Sequence, residues 1–138
     1  MKHLIFFIFI IILSSCNRNF DKNNLKNYLS TFNKELNDYS KIAIINVDVC
    51  SSCDNVVQQF LFANKDNQDL LIVLSSGSRK KIDLIAEQYI GDNLIKDSKQ
   101  KALFEFNLVV NQPVLFSVNK NKIQKKTLMI NELPDIFE

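Results

Sequence analysis

The sequence predicts an α/β fold, with a central mixed sheet of four to five strands and helices on both faces. Short β-branched runs alternate with segments whose apolar residues recur at helical spacing, which is typical of strand–helix–strand units. Two further strand-like runs flank the polar turn "NKNK" (119–122), and this pattern predicts an antiparallel hairpin in the same sheet.

The composition fits one modest domain. The chain has 138 residues, of which 46% are hydrophobic, and this supports a single core but not two. The formal net charge is +2, and acids and bases are scattered without a basic stripe or block. The charge pattern therefore gives no indication of nucleic-acid binding.

The N-terminal segment "MKHLIFFIFIIILSSC" predicts an export signal. Lys2 precedes an unbroken apolar run from Leu4 to Leu13, followed by small residues and Cys16. The run is about half the ~20 residues that a membrane-spanning helix needs. A cleaved signal is therefore favoured over a permanent transmembrane anchor.

The end of this segment, Leu13-Ser14-Ser15-Cys16, resembles the lipobox of bacterial lipoproteins. The resemblance implies a signal peptide over residues 1–15, a lipid on Cys16, a polar tether up to residue 24 and a domain over residues 25–138. It also implies a lipid-anchored protein of the bacterial envelope, and the lack of acidic residues in "NRNF" favours the periplasmic side. An ordinary cleaved signal and an uncleaved anchor remain alternatives.

The first predicted helix and strand follow the tether. Apolar side chains at alternating intervals of four and three residues predict a helix that packs by one face: Leu25, Leu29, Phe32, Leu36 and Tyr39. The run "IAIINV" (42–47) is apolar at nearly every position, which indicates a central strand buried on both faces.

The next elements complete the strand–helix alternation. Helical spacing from Val56 to Lys65 leads into the buried-type strand "LLIVL" (70–74). Ser78 is placed to cap another helix, and Leu94-Ile95 is read as a brief strand. A helix over residues 98–106, strands in "PVLFSV" and "IQKKTLMI" and a closing helical turn near residues 132–137 complete the domain.

Two cysteines, Cys50 and Cys53, directly follow the predicted central strand. Removal of the signal takes away His3, and lipidation occupies Cys16, so the exported domain keeps only these two free thiols and no histidine. A tetrahedral zinc site needs more ligands than two thiolates supply, so the sequence predicts no metal. In an open α/β sheet, the carboxyl ends of the strands are where ligands and chemistry collect.

The spacing of the cysteines suits thiol–disulfide exchange. If Cys50 opens the following helix, unpaired N–H groups and the helix dipole stabilise its thiolate, a setting that lowers the pKa of a thiol from about 8.5 to about 3.5–7.5. Cys53, one turn later, would resolve a mixed disulfide. A structural loop is the alternative, but so short a loop contributes little stability.

These features resemble the thioredoxin superfamily, most closely the exported, TlpA-like redoxins of bacterial envelopes. The matching segments are "IAIINVDVCSSC", "DLLIVLSS" and "LIKDSKQKALFEFNLVVNQPVLFSVNKNKI", which together span nearly the whole mature chain. The resemblance implies a thioredoxin-like fold with catalytic Cys50 and Cys53. It also implies a cis peptide bond before Pro113, with Gln112 offering backbone groups to a peptide substrate. A proline that merely begins an edge strand is the alternative.

The chain departs from the family at several positions. Val49 stands where a tryptophan is usual, Ser51-Ser52 where Gly-Pro is frequent, and Ile44 where thioredoxins keep a buried acid. Asp48 and Asp54 flank the motif, but solvated carboxylates explain them equally well, and their charge opposes ionisation of Cys50. These residues therefore do not indicate the redox poise of the cysteine pair.

The sequence thus predicts a lipid-anchored thiol–disulfide oxidoreductase without a cofactor. Its partners would be protein or peptide thiols and disulfides and a membrane electron donor, and a reductase is favoured over an oxidase because an oxidising compartment needs dedicated reductants. The alternative is a non-catalytic thioredoxin-fold lipoprotein that binds or scaffolds a partner. Peroxide reduction is disfavoured, since the threonine and arginine that it requires around the cysteine are missing.

Overall fold

A mixed sheet of five strands organises the part of the chain that the structure describes. The computed structural model describes residues 21–50, 52–120 and 122–134, so the predicted signal, Cys16 and the first part of the tether lie outside the described residues. The strands are arranged in the spatial order β3-β2-β1-β4-β5. They are β1 (Lys41–Asn46), β2 (Leu70–Ser75), β3 (Leu94–Asp97), β4 (Val114–Asn119) and β5 (Lys122–Thr127).

The described residues also form four α-helices and two short 3₁₀ turns. The helices are α1 (residues 21–30), α2 (Asp54–Ala63), α3 (Arg79–Ile85) and α4 (Lys101–Phe104). The 3₁₀ turns are Leu36–Asp38 before β1 and Ile130–Glu132 after β5. None of the helices in the described ranges combines the length and the apolar character of a membrane-spanning segment.

The pairing of the strands brings several strand ends to one edge of the sheet. β1 runs parallel to β2, and β2 runs parallel to β3, whereas β4 is antiparallel to both β1 and β5. Asn46 at the end of β1 therefore lies opposite Ser75 at the end of β2, and Ser75 lies opposite Asp97 of β3. The carboxyl ends of the three parallel strands share this edge.

Alternating residues of the strands build a core on each face of the sheet. On one face, Ala43 and Ile45 pack with α2 and α3 through residues such as Phe60 and Ile82. On the other face, Ile42 and Ile44 pack with α1 and α4 through residues that include Tyr28, Leu29 and Ala102. β1 is buried on both faces, as its unbroken apolar run predicts.

The predicted mixed sheet with helices on both faces is confirmed, including a Ser78 cap whose hydroxyl accepts a hydrogen bond from the Lys81 N–H. Several boundaries differ. The first helix ends near Ser30, because Asn33 takes a left-handed φ of 56°. Tyr39 and Phe32 nevertheless pack against the same core, as their spacing predicts.

The chain at both ends of the domain also differs from the prediction. Residues 21–24, assigned from sequence to the tether, already belong to α1, and Asp21 forms an ion pair with Lys125 of β5 at 3.6 Å. The predicted helix over residues 98–106 is one short turn, since Gln100 takes a left-handed φ of 51° just before it. The closing turn is a 3₁₀ helix that begins at Ile130.

Candidate active site

The two cysteines lie in the turn that joins β1 to α2. The chain leaves β1 at Asn46, turns at Val47 and Asp48, and enters α2 at Asp54, with Cys53 as the N-cap residue. The expectation that Cys50 opens the helix is therefore wrong. The helix begins later than expected, at Asp54, because an aspartate is favourable at the positive end of a helix. The helix dipole acts closest to Cys53, not Cys50.

The cysteines form a disulfide and differ in accessibility. Their Cα atoms are 5.4 Å apart, within the range that a disulfide bridges without backbone movement. Cys53 is 8% exposed, whereas Cys50 is half-buried. The Ser52 Oγ lies 3.8 Å from the Cys50 Sγ, where its hydroxyl is able to donate to the sulfur. An attacking reagent therefore reaches Cys50 before Cys53.

A pocket of about 170 Å³ opens beside the disulfide. Both cysteines contribute to its wall, together with apolar side chains and the segment that precedes β4. Val49 and Met129 of the wall and the neighbouring Val110 are all exposed. The lining residues are Ile45, Asn46, Val47, Val49, Cys50, Cys53, Asp54, Val57, Asn111, Gln112, Pro113, Met129 and Ile130.

Gln112 and Pro113, which the resemblance implicates in substrate binding, line the same pocket as the cysteines. Pro113 is buried, whereas Gln112 is exposed. The expected cis peptide bond before Pro113 is wrong: no peptide bond among the described residues is cis. Trans is the favoured form of X-Pro by about 0.5–1 kcal/mol, and the carbonyl of Pro113 is already fixed by the N–H of Leu128 at 2.8 Å.

Asn46 connects the cysteine turn to the Pro113 segment. Its buried side-chain amide donates to the carbonyl of Val110 at 3.1 Å, and its Oδ1 accepts from the N–H of Asp48 at 3.1 Å. One side chain at the end of β1 thus holds both walls of the pocket. A buried polar side chain with both groups satisfied fixes the geometry around it.

Asp48 fixes the other side of the cysteine turn. Its carboxylate accepts hydrogen bonds from the hydroxyl of Ser76 at 2.6 Å, the N–H of Gly77 at 2.7 Å and the side-chain amide of Gln100 at 3.0 Å. These donors come from the loops after β2 and β3. Three donors from two loops hold the carboxylate in place, so Asp48 serves as a structural tie.

Among the described residues, Asp54 has a single charged partner. The Nζ of Lys81 lies 3.9 Å from its Oδ1, and the same ammonium donates a hydrogen bond to the carbonyl of Val47. Lys81 belongs to α3, so this contact joins α3 to both ends of the cysteine turn. Asp54 also lines the pocket.

A second carboxylate lies at the same sheet edge but is sealed. Asp97, 1% exposed, accepts from the N–H groups of Lys101 and Ala102 at 3.0 and 2.9 Å. The hydroxyls of Tyr28 and Ser75 complete the cluster at 3.3 and 3.4 Å. Burial raises the pKa of Tyr28, and the charge of Asp97 raises it further.

The described residues contain no group of three or more His, Cys, Asp or Glu side chains arranged to hold a metal ion. What the pocket does offer is a disulfide whose outer sulfur is reachable from an apolar, solvent-open recess. That arrangement suits exchange with another thiol or disulfide.

Comparison with known proteins gives no relative from which to read a role: no protein-family model, no curated protein and no solved structure matches the chain.

Sequence reasoning identified part of this site. Cys50, Cys53, Gln112 and Pro113 are brought together in one pocket. Lys81, Asn46, Gln100 and Met129 were missed. Lys81 stands in the run Arg79-Lys80-Lys81, which reads as an ordinary solvated helix start, so no local signal distinguishes it. Its role depends on how α3 packs beside α2.

Proposed function

We propose that the protein is a thiol–disulfide oxidoreductase of the thioredoxin-like class, in which Cys50 attacks and Cys53 resolves. A parallel β1–α2–β2 unit beside an antiparallel β4–β5 hairpin supports the thioredoxin-like assignment, because it agrees with the segments on which the resemblance rests. The trans bond before Pro113 and the late start of α2 are departures from that pattern.

One observation carries the proposal: the two sulfurs are within bonding distance, but only Cys50 is open to an approaching reagent. A disulfide of this separation closes so short a loop that its stabilising effect is at the low end of about 0–5 kcal/mol. A bond that contributes little stability, placed at the carboxyl end of a central strand beside an open pocket, is better suited to exchange than to stapling.

Each turnover transfers two electrons from the protein to the substrate. In the reduced protein, the Cys50 thiolate attacks a substrate disulfide, forms a mixed disulfide and releases one substrate thiolate. Cys53, after losing its proton to solvent, attacks the Cys50 sulfur, forms the Cys50–Cys53 bond and releases the second substrate thiolate. The substrate gains two electrons, and an external dithiol donor must return them to the protein. An oxidase would run the same steps in reverse.

The pocket wall supports a polypeptide disulfide as the substrate. Val49, Val110 and Met129 present exposed apolar surface around Cys50, and Gln112 is exposed beside it. We favour reduction as the direction, with a membrane-bound electron donor, because an oxidising compartment needs dedicated reductants.

Insulin reduction by the full chain carrying C16S tests the proposal, since thiol counts then refer only to Cys50 and Cys53. We expect wild-type turnover to fall at least ~100-fold in both C50S and C53S. C53S should accumulate a mixed disulfide with a peptide substrate, and C50S should not, because its remaining thiol is buried. Equal trapping by both variants, or turnover that survives C50S, would contradict the assignment.

The exposed apolar rim also favours a second candidate, a non-catalytic thioredoxin-fold module that docks a partner with its cysteines idle. Such a module should lose nothing in C50S. A wild-type protein that fails to reduce insulin, but whose envelope partner is retained equally by wild type and C50S, would favour this candidate.

We further propose that Cys16 carries the lipid and that the protein faces the periplasm from its anchor. The support is the lipobox-like "LSSC" behind an apolar run, both outside the described residues. Metabolic labelling with a radioactive fatty acid in a bacterial host should mark the wild-type chain and not C16S. Label that persists in C16S would place the lipid elsewhere.

A further inference from the structure

We propose that Lys81 is a positioning residue that sets the redox equilibrium of the Cys50–Cys53 pair by balancing the charge of Asp54. This inference rests on the proposed redox function and adds the group that tunes it. The dipole of α2 acts closest to the buried Cys53, so a charged side chain beside the turn is a separate means of stabilising the reduced pair.

Lys81 contacts both ends of the cysteine turn. Its ammonium donates a hydrogen bond to the carbonyl of Val47, the residue that follows β1, and lies 3.9 Å from the carboxylate of Asp54, the first residue of α2. Both cysteines stand between these two points in the chain. A single side chain from α3 therefore spans the turn and brings a positive charge to its base.

Among the described residues that line the pocket, Asp54 is the only one with a charged side chain. The other carboxylate of the turn, Asp48, has its charge taken up by Ser76, Gly77 and Gln100. The side chains of Lys81 and Asp54 are only 26% and 38% exposed, so water screens their interaction incompletely.

The sign of the effect follows from the charge of the reduced pair. Reduction creates a thiolate, which an unbalanced Asp54 would destabilise. Lys81 offsets that carboxylate and so favours the reduced form, which makes the disulfide easier to reduce. Loss of Lys81 should stabilise the disulfide, and loss of the Asp54 charge should do the opposite. Loosening of the turn would act differently: both variants break the same contact, so both would shift the equilibrium in the same direction.

The test is the equilibrium of the full chain carrying C16S with reduced and oxidised glutathione at pH 8. We expect K81M to raise the equilibrium constant for disulfide formation about three- to tenfold, and D54N to lower it by a similar factor. The double variant K81M/D54N should return to within about twofold of wild type, because the two charges offset each other. K81R keeps the positive charge and should keep the wild-type equilibrium constant. The neighbouring exposed Lys80 provides the matched control K80M, which should leave the constant unchanged.

Shifts of K81M and D54N in opposite directions support the proposal; shifts in the same direction, or none in K81M, overturn it. If K81M does not fold, D54N decides alone: a lowered constant supports the proposal, and an unchanged or raised constant overturns it. Failure of the wild-type chain to reduce insulin would contradict the proposed function, whereas the glutathione equilibrium would still report the effect of Lys81. The two failures are therefore distinguishable.

Discussion

The ends of β1 and β3 lie at the same edge of the sheet but are built in opposite ways. β3 ends in Asp97, a carboxylate that is 1% exposed and accepts from two backbone N–H groups and two hydroxyls. β1 leads into the disulfide, beside a pocket whose rim includes Met129, which is 60% exposed. One end is closed by hydrogen bonds, and the other is open to solvent.

The difference separates structural groups from reactive ones. A buried carboxylate whose oxygens are occupied by four donors has no capacity left for a substrate, so Asp97 fixes α1, β2 and α4 around it. Among the described residues, the sulfur of Cys50 has one weak polar neighbour, the hydroxyl of Ser52. The group that we propose to be reactive therefore lies where the hydrogen bonding of this edge is incomplete.

The largest change in stability should come from breaking the closed end. We expect D97A to lower the free energy of unfolding by about 3–5 kcal/mol, because it removes a cap of α4 and leaves buried donors unsatisfied. Urea unfolding followed by circular dichroism measures this loss. A loss below ~1 kcal/mol would mean that water reaches the cluster and that the end of β3 is not closed.

The Tyr28 hydroxyl should contribute less to the free energy of unfolding, and its contribution should depend on pH. Burial raises the pKa of Tyr28, so above pH ~10 the unfolded chain releases a proton that the folded chain retains. This part of the stability is present below that pH and is lost as the pH rises. We expect Y28F to cost about 1–2 kcal/mol at pH 7 and to flatten the decline between pH 10 and 11.

Tyr89 provides the comparison for that measurement. Burial also raises its pKa, but its hydrogen bond to Asn93 opposes the shift. Y89F should therefore change the alkaline decline less than Y28F. An equal or larger change in Y89F would show that burial beside Asp97 is not what makes the folded chain retain the Tyr28 proton.

The hydrogen bonds of Asp48, just after β1, should contribute still less to the free energy of unfolding. Asp48 and its donor Gly77 are exposed, so water replaces part of what D48A removes, and we expect a loss of about 1 kcal/mol. Amide hydrogen exchange should become faster at Gly77 and in the turn after β1, while Ala102 beside Asp97 stays protected. Faster exchange at Ala102 would mean that the two strand ends open as one unit.

The smallest effects are expected on the pocket rim. M129S removes exposed apolar surface without disturbing the core, so stability should change by less than ~0.5 kcal/mol. The kcat/KM for a polypeptide disulfide should fall about three- to tenfold through KM, while reactivity with glutathione stays the same. F62S, which removes an exposed ring of α2 outside this pocket, is the matched control and should leave both rates unchanged.

The fold was accessible from the sequence where burial leaves a local pattern. β1 and β2 are buried on both faces, so their apolar runs are unbroken, and Ser78 caps α3 as its position predicts. The failures lie at ends set by backbone conformation. Asn33 and Gln100 adopt left-handed φ angles that shorten two helices, and neither residue type by itself excludes a helix.

The candidate site was accessible only where it depends on spacing. Cys50 and Cys53 are close in the chain, and their pairing needs no knowledge of the rest of the fold. Gln112 and Pro113 followed from a resemblance; they line the same pocket as the cysteines, but the peptide isomer that the resemblance implied is wrong. Lys81 reaches its partners only through the packing of α3 beside α2, and no pattern in one sequence encodes that contact.

The reduction potential of the Cys50–Cys53 couple, measured in the chain carrying C16S, tests the central claim most directly. A pair that exchanges with cellular dithiols should give a value between about −120 and −270 mV, the range of established oxidoreductases. A value below about −300 mV is that of a structural disulfide, and it would contradict a redox role for the open end of the sheet.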